Sequence, residues 1–335
     1  MGIPLKVTSQ GLFCITGNFF IDAWKPVPIC IVTHAHGDHA YWGHGLYIGS
    51  PETIRIIQHR LGKDILCQTL DYYQKIKLGN CWVSLHPAGH ILGSSQIRIE
   101  DSKRVTLISG DYKRRADPTC KPFEVVECDI FVTESTFALP IYQWPHKEIM
   151  DKQIYDWWQE NAHQGHPSVL FCYALGKAQR IMSVLKKHSE QTIYLHGAVY
   201  ALSKLYKEMG VDLIDFATLS EKKEENSFKQ DLILAPPSAM GTPWMKRFAS
   251  CKTALASGWM EVRGTRRRKA LDKGFVLSDH ADWGDLIRTI EETKAKIVLT
   301  THGNSETLAK FLREEKGLDA RELKGLDANF DEEED

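Results

Sequence analysis

The stretch "THAHGDHA", residues 33–40, follows the apolar run "VPICIV" and sets His34, His36, Asp38 and His39 within six positions. Along an extended segment, residues two apart point to the same side. His34 and His36 can therefore offer two imidazoles to one ion. Gly37 permits a sharp turn, which Asp38 and His39 leave in another direction, towards a second ion. Imidazole with carboxylate is ordinary ligand chemistry for Zn²⁺. A polar loop with three histidines that happen to be neighbours would give no reason for this alternation. The stretch begins two metal sites and completes neither, so other segments must supply the remaining ligands.

The 335 residues suffice for one large domain or two of moderate size. With 43% hydrophobic and 25% charged residues, the composition is that of an ordinary globular chain. A formal net charge of −1 argues against a uniformly basic nucleic-acid coat and leaves local patches open. The eight cysteines are scattered, with no Cys-x-x-Cys pair. Reduced thiols in a cytosolic protein are expected rather than a disulfide framework. "MGIPLKVTSQ" has no apolar core of a secretory signal, and Lys6 stands where a myristoylation site needs Ser or Thr. No apolar run approaches the roughly 18 residues of a membrane span, and the expected location is the cytoplasm.

Short β-branched runs keep ending in polar clusters: "CIVTHAH", "VTLISGD", "IFVTEST", "FVLSDH" and "IVLTTHG" among them. Helical patterns such as "LGKAQRIMSVLKKH" lie between many of these runs, an alternation that predicts α/β layers. In such folds function sits on loops held by a rigid sheet. "ALGKAQR" (174–180) lacks the spacing of a phosphate loop and reads instead as a helix starting at Gly176. The end of the chain, "DANFDEEED" from Asp327, reads as a solvated acidic tail.

Three further strand ends carry ligand-type residues: His86 and His90 in "HPAGHILGSSQ", Asp111 in "LISGDYKRR" and His302 in "LTTHGNS". Each alone reads as structural; together with residues 34–39, in chain order, they read as a site. At this point the sequence resembles the metallo-β-lactamase superfamily, whose H-x-H-x-D-H signature is met by His34, His36, Asp38 and His39. The next histidine of that pattern matches His90 in "AGHILGS", which leaves His86 as a decoy, and the bridging aspartate matches Asp111. The resemblance continues into the β-CASP nucleases: Glu134 in "TEST", His280 in "LSDHADW" and His302 match their later motifs, and "ALGKAQ" and "ASGWM" look like segments of their insert. It runs from about Gly11 to Asn304. The short chain and "RGTRRRKALDKGFVLSDHADW" look most like the bacterial DNA ligase-associated exonucleases.

The resemblance implies an αββα sandwich, residues 1–139 and 275–326, interrupted by an α/β β-CASP insert at 140–274. It further implies two divalent ions, Zn²⁺ or Mn²⁺, with His34, His36 and His90 at one and Asp38, His39 and His302 at the other. Asp111 would bridge them. His280, oriented by Glu134, is the implied proton donor to a leaving oxygen. The implied activity is 5′-to-3′ exonuclease action on single-stranded DNA in repair, with a ligase or helicase of the same pathway as partner.

Phosphate contacts dominate nucleic-acid affinity. Candidates are Arg263, Arg266, Arg267, Arg268 and Lys269, together with Lys113, Arg114 and Arg115 after Asp111; Ser135 and Thr136 are candidates for a terminal phosphate. His302 points the other way, to RNA, because DNA-crosslink-repair members of the group commonly lack that histidine. A small-molecule hydrolase of the glyoxalase II kind would share "THAHGDH" but would need neither the insert nor Glu134 with His280.

Overall fold

The strand Ile130–Glu134, "IFVTE", carries the layering of the molecule. Ile130 and Val132 enter one core while Phe131 enters another on the opposite face. A strand buried on both faces reads as an unbroken apolar run, which is why this one shows no alternation in sequence. Its neighbours Val105–Ile108 and Ile297–Thr301 both run parallel to it. Asp319–Glu322 continues the sheet on one side, and the antiparallel strands Ser95–Glu100, Cys81–Pro87 and Ile76–Leu78 continue it on the other.

This computed structural model describes residues 3–145, 147–221, 228–248, 250–262 and 271–324. Their contacts divide the chain into two compact units, 3–142 with 280–324, and 143–279. In the first, a second sheet of six strands, from Leu5–Thr8 to Cys67–Thr69, faces the seven-stranded one. A single core joins Phe19, Ile21, Ile31 and Ile48 of one sheet to Val83, Ile97, Ile108 and Val132 of the other. The Phe131 face is covered by helices Trp283–Glu292 and Ser305–Glu314 through Leu286, Ile290, Leu308 and Leu312.

The second unit is a six-stranded sheet, parallel throughout, with Ser168–Phe171 between Leu232–Ala235 and Lys252–Ser257 at its centre. Helix Lys177–Leu185 begins directly after Gly176, which takes a φ of 89°. The Gln179 side chain accepts the Gly176 amide at 2.7 Å and so satisfies one of the donors a helix start leaves open. The break between the units falls later than the sequence suggested, after residue 279 rather than 274. Lys273–Val276 pairs in parallel with Lys252–Ser257, and that hydrogen bonding binds it to the second sheet. Among the described residues no helix is long and apolar enough to cross a membrane, and the eight cysteines are free thiols.

In the seven-stranded sheet Val105–Ile108, Ile130–Glu134 and Ile297–Thr301 share a direction, so their carboxyl ends line one edge, and the loop after Cys30–Ile31 of the facing sheet brings further candidate ligands to it. Cys30–Ile31 leads to Thr33–His39, Val105–Ile108 to Asp111, Ile130–Glu134 ends on Glu134 itself, and Ile297–Thr301 leads to His302. Ligands of parallel α/β sheets bind at such carboxyl ends. Close approach of these ends depends on Gly110, at a φ of 55°, where a Cβ would lie 2.7 Å from Thr33 Cβ. Gly110→Ala is expected to destabilise the protein by about 1–3 kcal/mol, the usual cost of overpacking. Urea melts of the two proteins measure it, and superimposable curves would contradict the close packing.

Candidate metal centre

His34, His36 and His90 converge although His90 is 54 positions beyond His36. His36 Nδ1 lies 3.1 Å from His34 Nε2 and 3.1 Å from His90 Nε2. A ring nitrogen carries at most one proton, so mutual hydrogen bonding cannot satisfy all three. Asp111 Oδ2 completes the group, 3.6 Å from His34 Nε2 and 3.8 Å from His90 Nε2. On its other side it lies 3.4 Å from His39 Nε2, which in turn is 3.6 Å from Asp38 Oδ2. The His302 ring is 5.4 Å from that of His39. Candidate ligand atoms thus gather in overlapping groups: His34, His36, His90 and Asp111 form one, His39, Asp111 and His302 another, and Asp38 stands with His34 and His39. His39 Nε2 and Asp111 Oδ1 are buried and make no hydrogen bond. Converging imidazoles, a shared carboxylate and buried atoms without hydrogen bonds fit a pair of divalent cations.

The electrostatics divide the cluster. Burial disfavours charge on His39, yet Asp38, Asp111 and Asp22 outweigh it and hold the imidazole well above its ordinary pKa. Burial likewise opposes the charge on Asp111, but His39 holds it well below the usual carboxylate range. His34 and His302 are held low, by burial first and by the neighbouring His39 second. Neutral imidazole is the form that ligates.

Asp22, which the ligand pattern does not single out, orders this cluster. It follows the strand Phe19–Ile21, with a positive φ of 44°. Its Oδ1 accepts the Thr33 amide at 2.8 Å, and its Oδ2 accepts the Thr33 hydroxyl at 2.6 Å and lies 2.8 Å from His39 Nδ1. With its proton spent on Asp22, the Thr33 hydroxyl accepts from His34 Nδ1, 3.1 Å away. Both His34 and His39 thereby keep the proton on Nδ1 and turn Nε2 to the cluster. The only signal in the sequence is an acidic residue closing an apolar run, "NFFIDAW", a weak one.

His90 is held by its own loop. Gly93, at a φ of 81°, closes the turn, and the Ser94 hydroxyl accepts the His90 amide at 3.0 Å. His302 itself takes a positive φ of 61°, followed by Gly303, whose absent side chain admits the Ser135 and Thr136 backbone. Beside Asp111, His280 Nδ1 lies 2.9 Å from Glu134 Oε2, and Glu134 Oε1 accepts the Tyr112 amide at 2.7 Å. Burial raises the Glu134 pKa, with His280 pulling against it. His86 stands apart, between Ser84 at 3.2 Å and Glu124 at 3.5 Å.

Several expected phosphate contacts are corrected. Lys113 is 1% exposed, with its ammonium 2.6 Å from Asp117 Oδ2 and 3.1 Å from the His90 carbonyl. Arg114 pairs with Glu292 at 2.6 Å and lies over the Phe123 ring, and Arg115 lies 3.5 Å from Asp282. Ser135 is fully buried, its hydroxyl 2.7 Å from the Thr301 carbonyl and 2.5 Å from that of His302, and Thr136 is buried as well. Lys113 and Ser135 thereby brace the ligand loops, with the ammonium and the hydroxyl directed inward. Arg263, Arg266, Arg267, Arg268 and Lys269 lie outside the described residues.

No family model matches the chain. It is 31% identical over 319 residues to a protein of Opitutus terrae named probable DNA ligase, covering 93% of this chain and 30% of that one. The chain therefore spans under a third of that relative's length. An RNase J-like protein of Methanocaldococcus jannaschii is 24% identical, covering 83% of this chain and 82% of its own. The RNase aCSPSF2 of Saccharolobus solfataricus is also 24% identical, over 86% of this chain and 72% of its own. Among solved structures, a protein of unknown function from Enterococcus faecalis V583 has the same fold, with a TM-score of 0.57 at 15% identity over 84% of this chain and 76% of that one.

Two outcomes test the site. Asp22→Ala is expected to weaken metal binding about 10- to 100-fold, as loss of a partner behind a ligand does, and metal titration by calorimetry measures it. Lys113→Met is expected to cost about 3–5 kcal/mol of stability, because Asp117 is left buried without its counter-charge. A variant as stable as the parent in urea melts would return Lys113 to the list of surface contacts.

Proposed function

The chain belongs to the β-CASP branch of the metallo-β-lactamase superfamily, and from that premise we propose that it is a two-metal phosphodiesterase acting on nucleic acid. One observation carries the reading: the Asp111 carboxylate belongs at once to the group with His34, His36 and His90 and to the group with His39 and His302. His34, His36 and His90 would hold one ion, Asp38, His39 and His302 the other, and Asp111 would bridge. Such ions, when bound, supply Lewis acidity and make water a competent nucleophile near neutral pH.

The chain's own groups supply the rest. Glu134 fixes the His280 ring through Nδ1, so Nε2 is the atom that delivers a proton to the leaving sugar oxygen. Tyr112 holds the Glu134 carboxylate from behind through its amide. The strand that ends on Glu134 is anchored in a core on each face, which holds the carboxylate in place.

Within that class we infer a DNA exonuclease, working 5′ to 3′ on single strands. Support for DNA is the match along 93% of the chain to a protein named as a DNA ligase. An RNA-processing nuclease is the second reading, favoured by the place of His302 beside His39 and by relatives named as RNases.

Digestion of end-labelled DNA and RNA, linear and circular, tests both. Linear single-stranded DNA is expected to be degraded and the circle spared; rapid cutting of the circle would overturn the exonuclease mode. RNA degraded much faster than DNA of the same sequence would select the second reading. Asp111→Ala is expected to abolish hydrolysis. His280→Ala is expected to cost about 10²–10⁴ in rate with metal content unchanged, and loss of an ion would make His280 a ligand instead.

A further inference from the structure

A large apolar side chain on a protein surface needs no explanation by itself. Trp42 differs in its place and its support. It is 70% exposed and stands four residues after Asp38 and three after His39, in "DHAYWGHG". Its neighbour Tyr41 lines a cavity together with Asp38, His39, Asp111 and His302. Trp42 thus follows, by one residue in the chain, a side chain in the wall of the cavity that holds the candidate metal ligands.

The segment carrying Trp42 is braced on both sides. The Tyr47 hydroxyl donates to the Tyr41 carbonyl at 2.7 Å and accepts the His44 amide at 3.2 Å. The Gly45 amide donates to the Val27 carbonyl at 2.9 Å. Gly43 adopts a φ of 99° and lies against Pro26, whose Cγ would be 3.0 Å from an added Cβ. A side chain between such anchors is presented on a fixed backbone, and a rigid aromatic loses little entropy on binding a flat partner.

We propose that Trp42 is a stacking platform for one unpaired nucleobase of the substrate strand. This rests on the nucleic-acid reading given above and names how that substrate is gripped. Four residues span at most about 14 Å, and consecutive bases of a stacked strand are about 3.4 Å apart. The stacked base thus lies within roughly four nucleotides of the reacting phosphate. Stacking tolerates any base, since every base has a π-face. It does require a base not enclosed in a duplex, so Trp42 selects for single strands.

The test is equilibrium binding of fluorescently labelled, phosphorothioate-linked 12-mers, DNA and RNA, to the metal-loaded protein by anisotropy, with an abasic unit moved along the strand. Trp42→Ala is expected to weaken binding roughly 10- to 100-fold, as loss of a base–aromatic stack does, while Trp42→Phe stays near the parent. One abasic position is expected to weaken binding to the parent equally and to leave binding to Trp42→Ala unchanged. A merely structural tryptophan would not give that position-specific loss. Parent-like affinity of Trp42→Ala, or the same abasic profile in both proteins, would overturn the proposal, as would a parent protein that binds neither strand. If the abasic effect is found but no phosphodiester is hydrolysed, stacking stands and the catalytic reading falls. If hydrolysis proceeds and Trp42→Ala binds normally, the catalytic reading stands and stacking falls.

Discussion

Asp111 lies buried with one carboxylate oxygen between 3.4 and 3.8 Å from the Nε2 atoms of His34, His39 and His90. A charge in that position has lost its water and must be compensated by neighbours. The protein provides compensation asymmetrically. Burial works against charge on both partners, yet His39 is driven up by Asp38, Asp111 and Asp22, and Asp111 is driven down chiefly by His39. His34, pressed by burial and by His39, goes the opposite way. The histidines are thus pulled in opposite directions, and a cation bound at His39 would have to displace its proton, since neutral imidazole is the form that ligates.

Holding such a cluster needs rigid supports, and residues next to the ligands are used for that purpose. Asp22 sets the proton position of His39 directly and that of His34 through Thr33. Lys113, neutralised by Asp117, ties the carbonyl of His90, and Ser135 ties the turn that carries His302. Each acts on the backbone or the tautomer of a ligand and exposes little of itself. Polar side chains around the metal groups are thus directed inward, which leaves the substrate to be met by other surfaces.

Legibility from the sequence follows the same division. His34 to His39 could be read because their arrangement depends only on local backbone geometry, alternation followed by a glycine turn. His90, Asp111 and His302 were legible as strand-end residues once strands could be recognised from unbroken apolar runs. Asp22 was not, since its role depends on hydrogen bonds to residues 11 and 17 positions away, and nothing in "FFIDAW" distinguishes an orienting carboxylate from a solvated one. Lys113 and Ser135 failed for a related reason. A lysine or serine beside a ligand can turn outward to a substrate or inward to a carbonyl, and that choice is made by packing at long range. The unit boundary slipped by five residues because "GFV" has the same apolar character whichever sheet accepts it, and only pairing with Lys252–Ser257 decides.

These reassignments change how nucleic-acid affinity must arise. Lys113 and Arg114 are neutralised by internal partners and so add little positive potential beside the site. If the proposed function holds, affinity would come from phosphate oxygens meeting cations held in the cluster and from a base face meeting the Trp42 ring. Both act over the few nucleotides nearest the reacting bond. Under the proposed function, a site built this way would read the end of a strand closely and the rest of it hardly at all, as removal of nucleotides one position at a time requires.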